Sequence, residues 1–500
     1  MDFTVIHNLT NGFSVALNLQ NLMYCFLGVL GGTLIGVLPG IGPTATIAML
    51  LPVTFTLSPV SALIMLAGIY YGAQYGGSTT SILINLPGEA SSVITCIDGY
   101  QMACQGNGGL ALAIAALGSF FAGCVATLVI ALFAPPLAEV ALEFGPAEYF
   151  SLMTLGLVSA TVLAHGSLLK GIGMTMLGLL MGVVGTDVHS GMARFSFGLM
   201  ALSDSINIIV ICMGVFGFGE IIINLERGKS RNVSINKVAS VMPSWRNLKD
   251  SFGAILRGTA LGSALGMLPG GGATLASFAA YTMESKIGNT SNFGKGEIRG
   301  VAAPESANNA AAQTSFIPLL TLGLPSNSVM ALMIGALMIQ GIAPGPLVMT
   351  EHGDLFWAVI ASMWIGNLML VIMNLPLIGM WVKLLTVPYR LLYPSILLFC
   401  CIGVYSMSNQ PFDVMLTAIY GLLGYVFAKL ECQPAPLILG FILGPLMEEN
   451  LRRAMLISGG NAMVFFNEPI SGVLLGIAIL LLLITLAPAV RKKREAAFEE

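Results

Sequence analysis

The chain has 500 residues, of which 56% are hydrophobic and only 9% charged, and its mean hydropathy is +0.87. Soluble domains carry roughly 25% charged residues, so this chain cannot cover itself with ionic surface and must meet lipid over most of its exterior. A net charge of −3 excludes the basic footprint of a nucleic-acid binder, and the eight cysteines show no CxxC or metal-ligand spacing.

The first tract, 3–88, contains no Asp, Glu, Lys or Arg. It holds two runs that are poor membrane helices, Gly36-Val-Leu-Pro-Gly-Ile-Gly-Pro-Thr44 and Tyr75-Gly-Gly-Ser-Thr-Thr-Ser-Ile-Leu-Ile-Asn-Leu-Pro-Gly88. Proline removes a backbone donor and glycine adds backbone freedom, so both runs are expected to interrupt helices. The freed N–H and C=O groups cannot face lipid, and must line a cavity enclosed by protein. Further charge-free tracts follow at 99–138, 258–283, 306–350, 355–382, 391–412 and 469–490. With 146–223 and 414–447 they hold roughly ten to fourteen membrane passes. The fold class expected is therefore an all-α polytopic membrane protein with discontinuous helices or re-entrant hairpins. The N-terminus carries the acidic Asp2 and no basic region, so no cleavable signal is expected.

Of the Lys and Arg residues, only Lys170 and Arg194 precede position 225. Six cluster as Arg227, Lys229, Arg231, Lys237, Arg246 and Lys249, and four more as Arg491, Lys492, Lys493 and Arg494. The positive-inside bias puts the 225–250 connector and the C-terminus in the cytoplasm and the N-terminus on the outer side. The expected organisation is a first membrane repeat at 1–224, the connector at 225–250, a second repeat with additional C-terminal helices at 251–490, and a basic tail at 491–500.

The repeat is visible in the motifs. Gly36, Leu38, Pro39, Gly40, Gly42 and Thr44 recur as Gly266, Leu268, Pro269, Gly270, Gly272 and Thr274, at a constant offset of 230. Leu86-Pro87 recurs as Leu324-Pro325 at an offset of 238, the difference fitting an enlarged loop near Gly288–Gly300. Because the two copies follow helices that start on opposite sides, the repeats are expected to be inverted. In secondary transporters with that plan, each half contributes one broken element to a central site.

Half-helix N-termini, hydroxyls and amides with almost no fixed charge suit an anion, with a small cation held by carbonyls and hydroxyls. The expected substrate-binding residues are Gly40, Gly42, Pro43, Thr44, Ser78 and Thr79 in one half, and Gly270, Gly272, Thr274, Asn308 and Asn309 in the other. Asn85, Gly88, Ser326 and Asn327 are the expected ion-coupling set. Na+ or H+ is the expected coupling ion, sodium the one metal considered, and no organic cofactor is expected. Glu89 and Glu305 lie beside the motifs, where a loop-end role competes with a functional one. Asp187, His189 and Asp204 have no spacing that supports a proton relay, and His165 with Lys170 reads as a polar turn. Glu448 with Arg452 and Glu449 with Arg453 are at i, i+4 spacing and are expected to pair. No HExxH, GxSxG, P-loop or GxGxxG is present, so an enzyme is not expected. A passive anion channel remains the alternative, and an intramembrane enzyme a lesser one.

Gly36–Pro43, Tyr75–Thr80, Asn85-Leu-Pro-Gly-Glu-Ala-Ser-Ser92 and Asp98-Gly-Tyr100 resemble the large membrane subunit of bacterial tripartite tricarboxylate transporters. Gly300-Val-Ala-Ala-Pro-Glu-Ser-Ala-Asn-Asn309, Ala343-Pro-Gly-Pro346 and Leu443–Arg453 extend the resemblance over essentially the whole chain. It implies a permease of the bacterial inner membrane, driven by an ion gradient and moving a tricarboxylate such as citrate or a related organic acid. It also implies two partners, a small membrane subunit of about four spans and a periplasmic solute-binding protein. The chain departs from the family pattern at Pro325-Ser326-Asn327, at Gln313-Thr314-Ser315 and at Glu468-Pro469, which leaves the particular acid open.

Overall fold

A computed structural model describes residues 3–38, 42–163, 167–187, 190–226, 242–270, 272–288, 292–384 and 389–486. Pro39, Gly40, His165, His189, most of the basic connector and the tail at 491–500 lie outside the described residues. The described chain is helical apart from its loops and one pair of two-residue strands, Gly185–Thr186 with Ala193–Arg194. Among the described residues, seven helices are long and apolar enough to cross a membrane, including Leu19–Gly36, Gly108–Leu142, Gly353–Asn374 and Pro469–Leu486. Shorter apolar helices, including Pro43–Thr54 and Ser328–Ile339, cannot span alone.

Two helix pairs organise the interior. In the first, Leu19–Gly36 lies against Pro59–Ile84, and Gly28, Gly32 and Gly36 form a stripe at four-residue spacing. A Cβ at these positions would stand 2.2, 2.3 and 2.4 Å from the carbonyl oxygens of Met65, Ile69 and Ala73. In the second, Trp245–Gly266 lies against Arg299–Thr314, with Gly258, Gly262 and Gly266 facing Ala303, Ala307 and Ala311. The corresponding distances are 2.3, 2.3 and 2.5 Å. The glycines of the two ladders differ by 230 in number and their carbonyl partners by 238. These are the offsets of the sequence motifs, so the repeat extends from the motifs to the packing that supports them. Only a residue without Cβ lets two backbones approach this closely.

After each ladder the chain breaks and a short helix begins: Pro43–Thr54 in the first half, Gly272–Gly288 in the second. Gly270 and Gly272 have φ of +86° and +43°, a left-handed backbone that admits glycine readily. The partner helices also end alike. Pro59–Ile84 stops at Asn85 with φ 55°, and Phe316–Leu322 stops at Gly323 with φ 69°, positions again 238 apart. The proline two residues beyond each stop prevents the helix from resuming.

One expectation is corrected here. The hydroxyl-rich run from Tyr75 is not itself an interruption; it is helical to Ile84, and only 85–88 is unwound. Its hydroxyls bond back to the preceding turn, Ser78 to the Gln74 carbonyl at 3.0 Å and Ser81 to the Gly77 carbonyl at 2.9 Å, and so remain satisfied inside a helix. Asn308 and Asn309 likewise sit within the Arg299–Thr314 helix, every residue of which from Gly300 onward is buried.

The isolated charges resolve into structural roles. Glu448 bonds Arg452 at 2.6 Å, and Glu449 pairs with Arg453. Arg194 joins Glu448 at 2.8 Å and Arg452 reaches Asp187 at 3.1 Å, closing a four-charge cluster between the strand pair and Ala435–Ile457. Asp204 is exposed, and Lys170 meets Glu431 at 3.4 Å. Asp98, buried completely, accepts the Gly296 and Glu297 amides at 2.8 Å each and the Tyr281 hydroxyl at 2.8 Å. It thereby ties Thr95–Cys104 to the turn that opens Arg299–Thr314.

Gly32→Leu and Gly262→Leu should each separate a helix pair, lowering stability by about 1–3 kcal/mol or more. Gly31→Ala, where the new methyl meets nothing within 4 Å, should be neutral. Melting temperatures in detergent check the contrast.

Candidate functional site

Each break opens a helix whose first N–H groups have no partner within the helix. The structure turns four such beginnings toward one cavity of about 390 Å³. Gly42-Pro43-Thr44 comes from the first break, Gly272-Ala273-Thr274 from the second, Asn327-Ser328 from the second tip, and Pro434-Ala435-Pro436 from the start of Ala435–Ile457. Helix N-termini carry partial positive charge and free N–H donors, which suits an anion, although Pro43, Pro434 and Pro436 themselves supply no N–H. The described lining residues include no Lys, Arg or His, and Glu89 is their one carboxylate. The volume falls in the ~300–1,000 Å³ range of small-molecule pockets.

The two halves hold each other's tips. Asn327 caps Ser328–Ile339 by accepting the Met330 amide at 2.9 Å, and its Nδ2 donates to the Tyr70 hydroxyl at 3.2 Å. Glu89 caps the short turn Ala90–Val93 in a capping box with Ser92, and accepts from Asn308 Nδ2 at 3.1 Å. Glu89 and Asn327 are 238 apart in number, as are Tyr70 and Asn308. A helix of the first half thus grips the tip of the second, and a helix of the second grips the tip of the first. Reciprocal contacts of this kind are what a two-fold relation between like units produces. Thr44 and Ser328 also share a hydrogen bond at 3.0 Å, and the Gly270 amide donates to the Ser326 carbonyl at 2.8 Å. Ser91 Oγ lies within reach of Glu89 Oε1 and, at 3.1 Å, of Gln74 Oε1.

Of the residues expected from sequence, Gly42, Pro43, Thr44, Gly270, Gly272, Thr274 and Asn327 stand in the cavity wall. Gly40 lies outside the described residues. Asn308 acts through Glu89. Asn309 turns away, donating to Ser119 Oγ at 2.7 Å and the Glu305 carbonyl at 3.1 Å. Ser78 and Thr79 line a separate small pocket with Glu305. Asn85 is the exposed left-handed stop of its helix. Gly88 is a backbone contact, since a Cβ there would stand 2.5 Å from both the Gly36 carbonyl and Gly77 Cα. Ser326 is buried with a hydroxyl that has no partner among the described residues.

Sequence reasoning did not assign Tyr70, Gln74, Ser91, Ser328 or 434–436 to the site, and left Glu89 undecided. An available signal was the 238 offset itself, which carries Asn327 onto Glu89 and Asn308 onto Tyr70. Nothing in the repeated motifs marks 434–436.

Tyr70→Phe and Asn327→Ala should be strongly non-additive in stability, with a coupling of about 0.5–1.5 kcal/mol, because either removes the same crossing bond. Asn327→Ala should cost about 0.5–2 kcal/mol more than Tyr70→Phe, having also lost the cap. A double-mutant cycle on thermal unfolding measures both.

Comparison with known proteins places the chain in a family. No solved structure matches the chain. An uncharacterized 52.8 kDa protein from the TAR-I ttuC' 3' region of Agrobacterium vitis is 59% identical over 497 residues, covering 99% of each chain. An uncharacterized protein from the TAR-II ttuC' 3' region of the same organism is 60% identical over 240 residues, 48% of this chain and 99% of its own. Residues 22–439 match the model of the tripartite tricarboxylate transporter TctA family. The chain is a multi-pass membrane protein and belongs to that family.

Proposed function

We propose that the protein is the large permease subunit of a tripartite system that takes up a di- or tricarboxylate across the bacterial inner membrane, driven by a Na+ or H+ gradient. The observation that carries this reading is the 390 Å³ cavity, walled by helix beginnings from both halves and free of basic side chains among its described lining. A carboxylate entering it exchanges hydration for backbone N–H groups and the hydroxyls of Thr44, Thr274 and Ser328, the exchange helix N-termini are suited to.

The same wall supports coupling to a cation. Glu89 is ionisable and makes no ion pair among the described residues. A carboxylate substrate beside an ionised Glu89 meets like charge in a medium that screens poorly, several kcal/mol at an effective dielectric constant of ~20. A proton or metal cation that enters with the substrate removes that repulsion. Membership of the family supports the two partners, a small membrane subunit of about four spans and a periplasmic binding protein that delivers the acid. The basic residues support a cytoplasmic connector and C-terminus, a periplasmic N-terminus and hence inverted repeats. In this reading the cavity reaches the two sides alternately, by rigid displacement of one packed unit against another in an elevator-like motion.

The test is uptake of a panel of labelled organic acids into proteoliposomes that contain the chain with its two partners. Under a Na+ or H+ gradient, at least one di- or tricarboxylate should accumulate above its external concentration, and collapsing the gradient should release it. Equilibration without accumulation under every gradient would mean a channel. Asn327→Ala and Thr274→Ala should each lower uptake at limiting acid at least tenfold while leaving membrane insertion intact.

A further inference from the structure

Glu305 is 1% exposed in the middle of the helix Arg299–Thr314 and, among the described residues, makes no ion pair. A buried carboxylate without a counter-charge is costly; such groups are paired or hold a cation. Its surroundings are oxygen-rich. Thr95 Oγ1 donates to Oε1, and Ser78 Oγ lies 2.5 Å from Oε2. Ser78 also lies 3.0 Å from the Gln74 carbonyl, and its one proton can serve only one of the two acceptors.

Beside the carboxylate is a small space of about 20 Å³, lined by Ser78, Thr79, Ser119, Glu305 and Asn374 with Tyr75 and apolar neighbours. One sphere of water size needs ~10–15 Å³ by this measure, so the space admits a single small particle. Asn374 is 6% exposed, its amide nitrogen donates to the Leu370 carbonyl at 2.9 Å, and its Oδ1 has no partner among the described residues. Ser119 Oγ already receives the Asn309 amide at 2.7 Å. The pocket therefore holds more acceptors than donors around one negative charge. A proton on Glu305 would satisfy a single acceptor, whereas a cation in the space would meet several.

We propose that this pocket, formed by Glu305, Ser78, Thr79, Ser119 and Asn374, is a binding site for one small monovalent cation with hard oxygen ligands, Na+. It rests on the transport reading above for its purpose, and is distinct in place from the large cavity. The two sites share their helices. Gln74, one turn from Ser78 on Pro59–Ile84, lines the large cavity, and Asn308, one turn from Glu305 on Arg299–Thr314, holds Glu89 there. A cation joining Ser78 to Glu305 clamps together the two helices that carry the crossed tips. Binding of the acid and of Na+ should therefore be mutually tightening.

The test is equilibrium binding of ²²Na+ to the full-length chain in nanodiscs without organic acid, with K+ as the osmotic control. The wild type should bind Na+ saturably at one site per chain. Glu305→Gln should weaken it at least tenfold, and Ser119→Ala and Asn374→Ala, which keep the charge, about three- to tenfold. The alanine variants keep the proposal testable if Glu305→Gln does not fold. No saturable Na+ binding, or Na+ affinity unchanged in Ser119→Ala and Asn374→Ala, would overturn it. Exchange of organic acid in sodium-free proteoliposomes, driven equally well by a pH gradient, would overturn the cation site and leave the acid cavity standing. Saturable Na+ binding lost in the variants, with no organic acid exchanged by any preparation, would uphold the cation site while the reading of the large cavity failed.

Discussion

A helix interrupted within a bilayer exposes main-chain donors and acceptors that hydrocarbon cannot satisfy. Everything particular to this molecule follows from how it meets that constraint twice. Each interruption follows a ladder of three glycines, where backbone touches backbone. The freed ends are then spent on one another and on the cavity: Gly270 bonds the Ser326 carbonyl, Asn327 caps the next helix, and Thr44 reaches Ser328 across the halves. The helix beginnings that follow the breaks line a single hollow.

The electrostatic character of the interior is unusual for a site assigned to anions. The described wall of the large cavity has no basic side chain, and two carboxylates lie within the same helix assembly: Glu89 at the wall, and Glu305 one helical turn from the Asn308 that holds Glu89. Helix dipoles contribute about half a positive charge each and fall off within a turn, which attracts an anion without trapping it. Buried acids supply the opposite tendency. On the proposed reading, joint occupancy by anion and cation is favoured over occupancy by either alone, the energetic requirement of a coupled carrier.

Much of this was legible in the sequence, for physical reasons that can be named. Pro39–Thr44 and Pro269–Thr274 stand out because proline and glycine in an apolar tract have few explanations, and Gly42, Thr44, Gly272 and Thr274 fall on one wall. The i, i+4 pairs of 448–453 were visible because helix geometry brings them together. Arg194 and Asp187, some 250 residues away, joined that cluster only through tertiary folding. The run Tyr75–Asn85 looked broken because its composition resembles a loop. Bonding to the previous turn leaves its hydroxyls satisfied within the helix, and close backbone packing at Gly72 and Gly76 shields it. Glu89 stayed undecided because its counterpart is Asn327: the repeat preserves the capping role and not the residue type.

The central claim is that the two breaks share one hollow that grips a carboxylate. It is tested most directly by placing single cysteines at Thr44 and at Thr274 in a cysteine-free background and measuring their rates of modification by a small charged thiol reagent. The transported acid should slow both rates with the same half-saturating concentration. Modification of either position at an undiminished rate under saturating acid would contradict a shared site.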